Sequence, residues 1–359
     1  MTPEKSICVE GYPGHRAMSW QTWGGGRSRV LVARVFLCDT GRVRARHGRP
    51  LTRSDWPDDL EPAPPRPPII TPAGFGPKVH RSAFQRLRDE LPGFIKKNRG
   101  LLVKPAFWSL VGRLIVTRVT APLRQRPGDP VLFVATHHKV MTTYFNAVLW
   151  LLSRGLGLRY QKVNSEQPKP ASRMVLSMHG KLDLPRLGRY RGVHVMRDPR
   201  DMIVSGYHYH KWTHEDWVHR PDETGTSYQQ KLNHADKRAG LFMEIDHFIF
   251  YYRDTLERWN LDDPDILEVS YDSLMGPDRA AEYARIFAHL GLTGRHHALA
   301  VDLMRLFEAG SRTGRKAGAV AQKSHLRSGK SGQWQAELEP DHIAYIEREL
   351  GPVLRKFGY

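Results

Sequence analysis

The sequence predicts an α/β fold: a three-layer sandwich with a central, mostly parallel sheet flanked by helices. Three observations carry that expectation. Val131–Ala135 is a wholly apolar run of strand-forming residues, and comparable runs recur at 173–178, 192–196 and 265–270. Runs of this length suit buried strands and are too short for helices. Longer segments with helical spacing lie between them, and strands alternating with helices build parallel sheets covered on both faces. Finally, Lys139, His179 and Arg197 each fall just after a predicted strand. Ligands bind outside the carboxyl ends of strands in such sheets, so these three are expected to converge on one crevice.

A chain of 359 residues accommodates one large domain or two moderate ones. The formal charge of +18 is unevenly spread. Residues 1–130 hold 23 Lys and Arg against 10 Asp and Glu, or +13, and the remaining residues hold 32 against 27, or +5. A nucleic-acid binder would carry its basic residues on a recognisable recognition element, and none is found, so nucleic acid is not an expected partner. The two cysteines, Cys8 and Cys38, provide no disulfide framework, which fits a reducing compartment. No apolar run follows a basic start, and no stretch approaches the roughly 18 unbroken apolar residues of a membrane span. The expected location is cytoplasmic.

Taken in order, residues 1–78 read as a weakly ordered, basic, Pro/Gly-rich extension, with one short strand expected at Val30–Leu37. Residues 79–129 read as a helical segment and 130–359 as the functional domain. Within the helical segment, 107–119 (FWSLVGRLIVTRV) carries an apolar stripe flanked by Arg113 and Arg118. Such a helix packs on the domain that follows or makes peripheral membrane contact, and packing is the more ordinary role. After Val131–Ala135, Thr142-Thr143 opens a helix that Gly155-Leu-Gly should break. The stretch Tyr207 to Gly225 contains His208, His210, His214 and His219, but has no fixed ligand spacing and no cysteine. A flap with exposed aromatics is expected there, not a metal site. A single long helix is expected over 227–260, a strand at 265–270 followed by helix to 290, and helices over 295–309 and 340–356. The polar, basic stretch 310–336 suits an anion clamp that orders on ligand binding, or else a solvated linker.

Strand, cationic loop and hydroxyl-rich helix start together suit an anion site, the alternative being a threonine N-cap after a solvated lysine. Backbone N–H groups at a helix N-terminus point at a ligand, and the helix dipole favours negative charge. Lys139 adds a point charge, and Thr142 and Thr143 add hydroxyls. Walker A spacing is absent, which argues against a nucleotide kinase. Arg197 at a strand exit and Ser205 two helical turns on could hold a second phosphate; the alternative is a helix-capping ion-pair cluster at Arg197–Asp201.

Four segments, THHKVMTTYF, RDPRDMIVSGYHY, ILEVSYDSLMGPD and HLRSGKSGQW, occur in this order. Together they resemble the sulfotransferase family, which takes a sulfuryl group from 3′-phosphoadenosine 5′-phosphosulfate (PAPS). The resemblance runs from about residue 130 to the C-terminus and implies a P-loop-like version of the α/β sandwich. It implies that the loop His138, Lys139, Val140, Met141, Thr142 and Thr143 holds the 5′-phosphosulfate, with Tyr144 in place of the tryptophan that stacks on adenine. Met141 stands where the family has glycine, so the loop is expected to shift or to bind more weakly. Arg197 and Ser205 match the 3′-phosphate pattern R-x-P-x-D-x-x-x-S without a gap. Tyr271 takes the position of a tyrosine near the adenine. Arg327, Ser328 and Gly329, with Gly332 and Trp334 beyond, resemble the loop that closes over the nucleotide. For the base that deprotonates the acceptor, the resemblance points first to His179, then to Glu166, then to His138. The implied reaction is in-line, metal-free transfer to a hydroxyl or amine of a carbohydrate, phenol or lipid acceptor. Lys139 would be catalytic and 3′,5′-ADP the product. The competing expectation is a non-catalytic nucleotide or polyanion binder on the same fold.

Overall fold

The structure, a computed structural model, describes residues 5–8, 16–23, 30–37, 94, 98–123, 125–126, 128–308 and 330–359. The chain divides into two compact units, Met1–Val79 and His80–Tyr359. In the first unit, β1 (Lys5–Cys8), β2 (Arg16–Trp23) and β3 (Val30–Leu37) form an antiparallel sheet in that order. The strand expected at Val30–Leu37 is present. The other two were not anticipated in a segment whose Gly and Pro content predicts weak order.

The second unit begins its described part with α1 (Arg99–Leu102) and α2 (Pro105–Thr120). Then come β4 (Val131–Ala135), α3 (Thr142–Leu156), β5 (Tyr160–Val163), β6 (Met174–Ser177) and β7 (Tyr190–Met196). Helices α4 (Pro199–His210), α5 (Asp216–His219), α6 (Tyr228–His234) and α7 (Lys237–Arg258) lead to β8 (Ile266–Ser270). The chain continues through α8 (Tyr271–Met275), α9 (Arg279–His289), α10 (Gly294–Leu306), α11 (Trp334–Glu337) and α12 (Pro340–Lys356). The five strands form one sheet in the order β5-β6-β4-β7-β8, and every pairing is parallel. The first strand of the domain is therefore central. The chain passes from β6 across β4 to β7, so the loop after β4 lies at the switch point where such sheets open a crevice.

Strand side chains alternate between two cores, as the pleat requires. Leu132, Val134, Met174, Leu176, Val193 and Val195 face the larger one. Val131, Phe133, Ala135, Val175 and Ile266 face a smaller one closed by Trp259. Gly192 in β7 is dictated by this packing, because a Cβ there would stand 2.1 Å from Phe133 Cζ. Helix α3 runs through Gly155, which packs against Leu114 of α2, and ends at Gly157 in the left-handed region at φ 77°.

Three local expectations need correction. The helix expected over 227–260 is two helices, because Ala235 and Asp236 are extended and the Asp236 side chain caps α7 by accepting from Ala239 N at 2.7 Å. The aromatics of the expected flap are not exposed: Tyr209 is buried, and Trp212 and Trp217 are half-buried. On α2, Phe107, Leu110, Leu114 and Thr117 are buried, while Trp108, Ile115, Val116 and Val119 are exposed on the other side. No helix among the described residues is long and apolar enough to cross a membrane.

Candidate active site

The loop between β4 and α3 is pinned at both ends by its own hydroxyls. Thr136 N donates to Ser177 O at 2.8 Å, and Thr142 Oγ1 lies 2.9 Å from both His137 O and Thr136 Oγ1. Lys139 and Met141 adopt positive φ, 65° and 53°. Met141 thus takes the glycine-like conformation without glycine, at a cost of roughly 1–2 kcal/mol. The helix start after this bend has N–H groups without an intrahelical partner. Lys139 Nζ lies 4.0 Å above the Tyr209 ring of α4. Tyr144 does not join the site: its ring is buried in the core and its hydroxyl donates to Met304 O. The adenine-stacking role implied for it is therefore corrected, because α3 turns that residue inward. Val140 is likewise buried in the core, and Thr143 is half-buried on the first turn of α3.

Arg197, at the exit of β7, gathers four segments. Its Nη1 donates to Lys139 O at 3.4 Å, and its Nη2 donates to Asp201 Oδ2 at 3.2 Å and to Lys330 O at 2.9 Å. The guanidinium stacks on Tyr271, 4.4 Å from the ring centroid. Its Nε is buried with no hydrogen-bond partner among the described residues. Ser205 lies on α4 two turns beyond, nearly buried. Asp201 was missed as a functional residue, yet it accepts from Gly332 N at 2.9 Å and from Trp334 N at 3.0 Å. It docks the returning C-terminal segment, and Trp334 then lies under Arg200 at 4.0 Å. The aspartate of the R-x-P-x-D pattern was the only available signal for that role. Arg327, Ser328 and Gly329 lie outside the described residues.

His137 and His138 extend in different directions. His137 Nε2 lies 2.8 Å from His194 Nε2, His194 Nδ1 lies 2.6 Å from Glu268 Oε2, and Trp259 Nε1 donates to Glu268 Oε1 at 2.7 Å. The carboxylate only accepts, so His194 donates from Nδ1 and accepts at Nε2, and His137 must carry its proton on Nε2. His137 Nδ1 is then bare, and it has no partner among the described residues. His138, by contrast, donates its backbone N–H to Tyr252 Oη at 3.2 Å, and that oxygen lies 2.8 Å from His179 Nδ1. Burial is the chief cause holding His137, His138 and His179 below the ordinary imidazole value, His179 to about 4. Lys181 lowers His179 further, while Glu215 and Glu166 oppose it. All three rings are neutral near pH 7. Glu166 itself is exposed and accepts from Asn164 N at 2.9 Å. Neither Tyr252 nor the His194–Glu268 pair was found from sequence. A tyrosine in a helical stripe reads as core, and a histidine inside an apolar strand carries no local signal.

The family that carries this fold is decided by a sequence match. The sequence profile of the sulfotransferase domain matches residues 127–358, well over half of the chain. The chain belongs to the sulfotransferase family. It is an enzyme of the transferase class with the family's P-loop-like fold. Mouse sulfotransferase SULT7A1 complexed with PAP is 14% identical, with 68% of this chain and 89% of that chain covered at a TM-score of 0.41. Retinol dehydratase in complex with androsterone and inactive cofactor PAP is 15% identical, with 74% and 94% covered at a TM-score of 0.40. No curated protein sequence matches the chain. In this sulfotransferase the histidines of the 207–225 stretch disperse. His208 pairs with Glu337 at 3.2 Å, His219 Nε2 donates to Thr213 O at 3.1 Å, and His214 is exposed. His210 turns inward to Glu244 at 2.8 Å.

Proposed function

We propose that this sulfotransferase uses PAPS as donor and transfers the sulfuryl group in line to a hydroxyl or amine of a small-molecule or glycan acceptor, releasing 3′,5′-ADP. One observation carries the reading: the buried Arg197 touches the Lys139 loop, Tyr271 and Lys330 together, and its Nε is left without a partner among the described residues. A buried guanidinium N–H without an acceptor is costly, and a phosphate oxygen is the acceptor best suited to it. With the helix start of α3 some residues away on the same crevice, the site fits a ligand that is anionic at two ends.

Arg197 and Ser205 hold the 3′-phosphate, and Tyr271 flanks the base. The N–H groups at Thr142 and Thr143 and the Thr143 hydroxyl hold the sulfuryl oxygens, while the Thr142 hydroxyl, donated to His137 O, braces the loop. Lys139 leaves the Tyr209 ring to neutralise charge growing on the bridging oxygen, the kind of fixed electrostatic help that usually dominates acceleration. His179 is the base in this reading. Its role requires the tautomer in which Nδ1–H donates to Tyr252 Oη, leaving the Nε2 lone pair for the acceptor proton. Tyr252 Oη can accept from His138 N and His179 Nδ1 at once, having two lone pairs. Glu166, exposed and engaged with Asn164, contributes only a field that favours protonated His179.

Calorimetric titration of 3′,5′-ADP tests the donor site. Binding to the wild-type chain, weakened by at least about 100-fold in Arg197→Ala, is the expected outcome, since a charged hydrogen-bond donor is lost along with its stacking partner. Equal affinity in both proteins would refute the assignment. The alternative of a non-catalytic binder predicts the same titration but no acceptor-dependent release of 3′,5′-ADP from PAPS.

A further inference from the structure

Beside the nucleotide loop, α4 and α7 pack together and enclose a carboxylate among imidazoles. Glu244 and His247 are three residues apart on α7, so both project from one face of that helix. His210 comes from the last turn of the facing α4, with Nδ1 2.8 Å from Glu244 Oε2. His210 and Glu244 are 2% and 3% exposed. One donor atom from each of His210, Glu244 and His247 lies within 4.8 Å of the others.

The surroundings hold this set in place. Trp217 stacks on His247 at 4.7 Å and 8°. Tyr228 Oη donates to Glu244 Oε2 at 2.9 Å. Gly206 makes room for the carboxylate, since a Cβ there would stand 2.4 Å from Glu244 Oε1. A second, independent feature points the same way. The His138 ring stacks on His210 at 5.0 Å, and its Nε2 is shut off from solvent with no hydrogen-bond partner among the described residues.

We propose that His210, Glu244 and His247 bind one divalent transition-metal ion of the zinc class, with the fourth position filled by water or by His138. Two imidazoles and one carboxylate are a donor set that zinc accepts, whereas magnesium and calcium favour oxygen ligands. Bonds of about 2.0–2.1 Å place tetrahedral donors roughly 3.4 Å apart, so the His210–Glu244 pair opens slightly from 2.8 Å and any wider pair within the 4.8 Å set closes. The ion replaces the His210–Glu244 hydrogen bond and clamps α4 to α7. Helix α4 also carries Ser205 and Tyr209, so the clamp braces the helix under Lys139. No part of the sulfuryl transfer passes through this ion.

The cluster Glu339, Asp341 and His342 provides an internal control. Its histidine is already spent, with Nδ1 accepting from Glu339 N and Nε2 bonded to Arg238 O.

The test is titration of metal-stripped full-length protein with Co²⁺, without nucleotide, followed by visible absorption and then by Zn²⁺ displacement. The expected result is one equivalent of Co²⁺ with the intense ligand-field bands of tetrahedral coordination, removed by Zn²⁺. Affinity should fall at least tenfold in His247→Gln and in Glu244→Gln, each checked for wild-type circular dichroism, and stay unchanged in Asp341→Asn. Weak octahedral bands in the wild type, or a band that survives His247→Gln, would overturn the proposal. The wild-type spectrum decides by itself if the variants do not fold.

Discussion

His137 and His138 are adjacent in the chain and both held neutral by burial, yet they belong to different networks. The first runs through His194 to a carboxylate, Glu268, that fixes the tautomer of every ring before it. The second runs through a phenol, Tyr252, to His179 and ends without a carboxylate. A chain that ends on an acceptor-only group has one proton arrangement and serves to hold the loop. A chain that passes through a phenol can reverse donor and acceptor there, which in the proposed mechanism lets the imidazole at its end take up a proton. Under the proposed mechanism, the two neighbouring histidines lead into different tasks, one network holding the loop and the other reaching the base.

The sharpest way to break this contrast is His179→Gln. It should lower kcat roughly 10²–10⁴-fold, the usual scale for a general base, while 3′,5′-ADP affinity stays within about threefold. Equal losses in kcat and nucleotide affinity would make His179 a structural residue instead. Next in size is the acid response of stability. An unfolded imidazole takes up protons below about pH 6.5, whereas folded His179 does so only near pH 4. The unfolded state therefore binds more protons in that window, and stability must fall as pH drops from 6.5 toward 4. His179 alone contributes up to roughly 3 kcal/mol, with His137 and His138 adding in the same direction. Urea midpoints at pH 7 and pH 5 measure it, and a flat profile would contradict burial of neutral rings.

Glu268→Gln acts on the other network. The amide offers one acceptor oxygen to two donors, His194 Nδ1–H and Trp259 Nε1–H, so one bond is lost or the tautomer chain inverts. A stability loss of about 1–3 kcal/mol is expected, with kcat nearly unchanged. A kcat loss as large as that of His179→Gln would erase the distinction between the two chains. Smallest is Tyr252→Phe, which leaves His179 in place but removes its partner. A kcat decrease of about tenfold is expected, equal to roughly 1.4 kcal/mol, with no change in nucleotide affinity. Steady-state kinetics on the two variants side by side would show it.

Much of the sheet was legible because its central strands are buried on both sides. Runs such as VLFVA have no other use for five consecutive apolar residues, and the observed strands overlap those expected at 173–178, 192–196 and 265–270. Strand β5 was missed because it is an edge strand reading YQKV, with only Val163 buried, so neither pattern nor hydropathy marks it. The break at Ala235–Asp236 was missed for a related reason. An aspartate that caps one helix reads equally well as a solvated residue inside a longer one.

In the candidate site, Lys139, Arg197 and Tyr271 could be named from motifs on strand–loop–helix units, and the structure brings these three together around the Arg197 guanidinium. Tyr144 was misread for want of one angle. The residue after the loop faces the core or the crevice depending on how α3 sits, and here it faces Met304. Asp201, Tyr252, Glu268 and the His210–Glu244–His247 cluster gain meaning only from partners on other elements, 34 to 133 positions away in the cases of His210 and of Asp201 with Trp334.

The sequence by itself determined the α/β class, the buried central strands and the family, because these follow from periodicity and from groups close together in the chain. The tertiary structure decided which histidines share a hydrogen-bond network with a carboxylate and which with a phenol, and which carboxylate docks the C-terminal segment. Those roles depend on hydrogen-bond direction and burial across the sheet, and neither is encoded in any local run of residues.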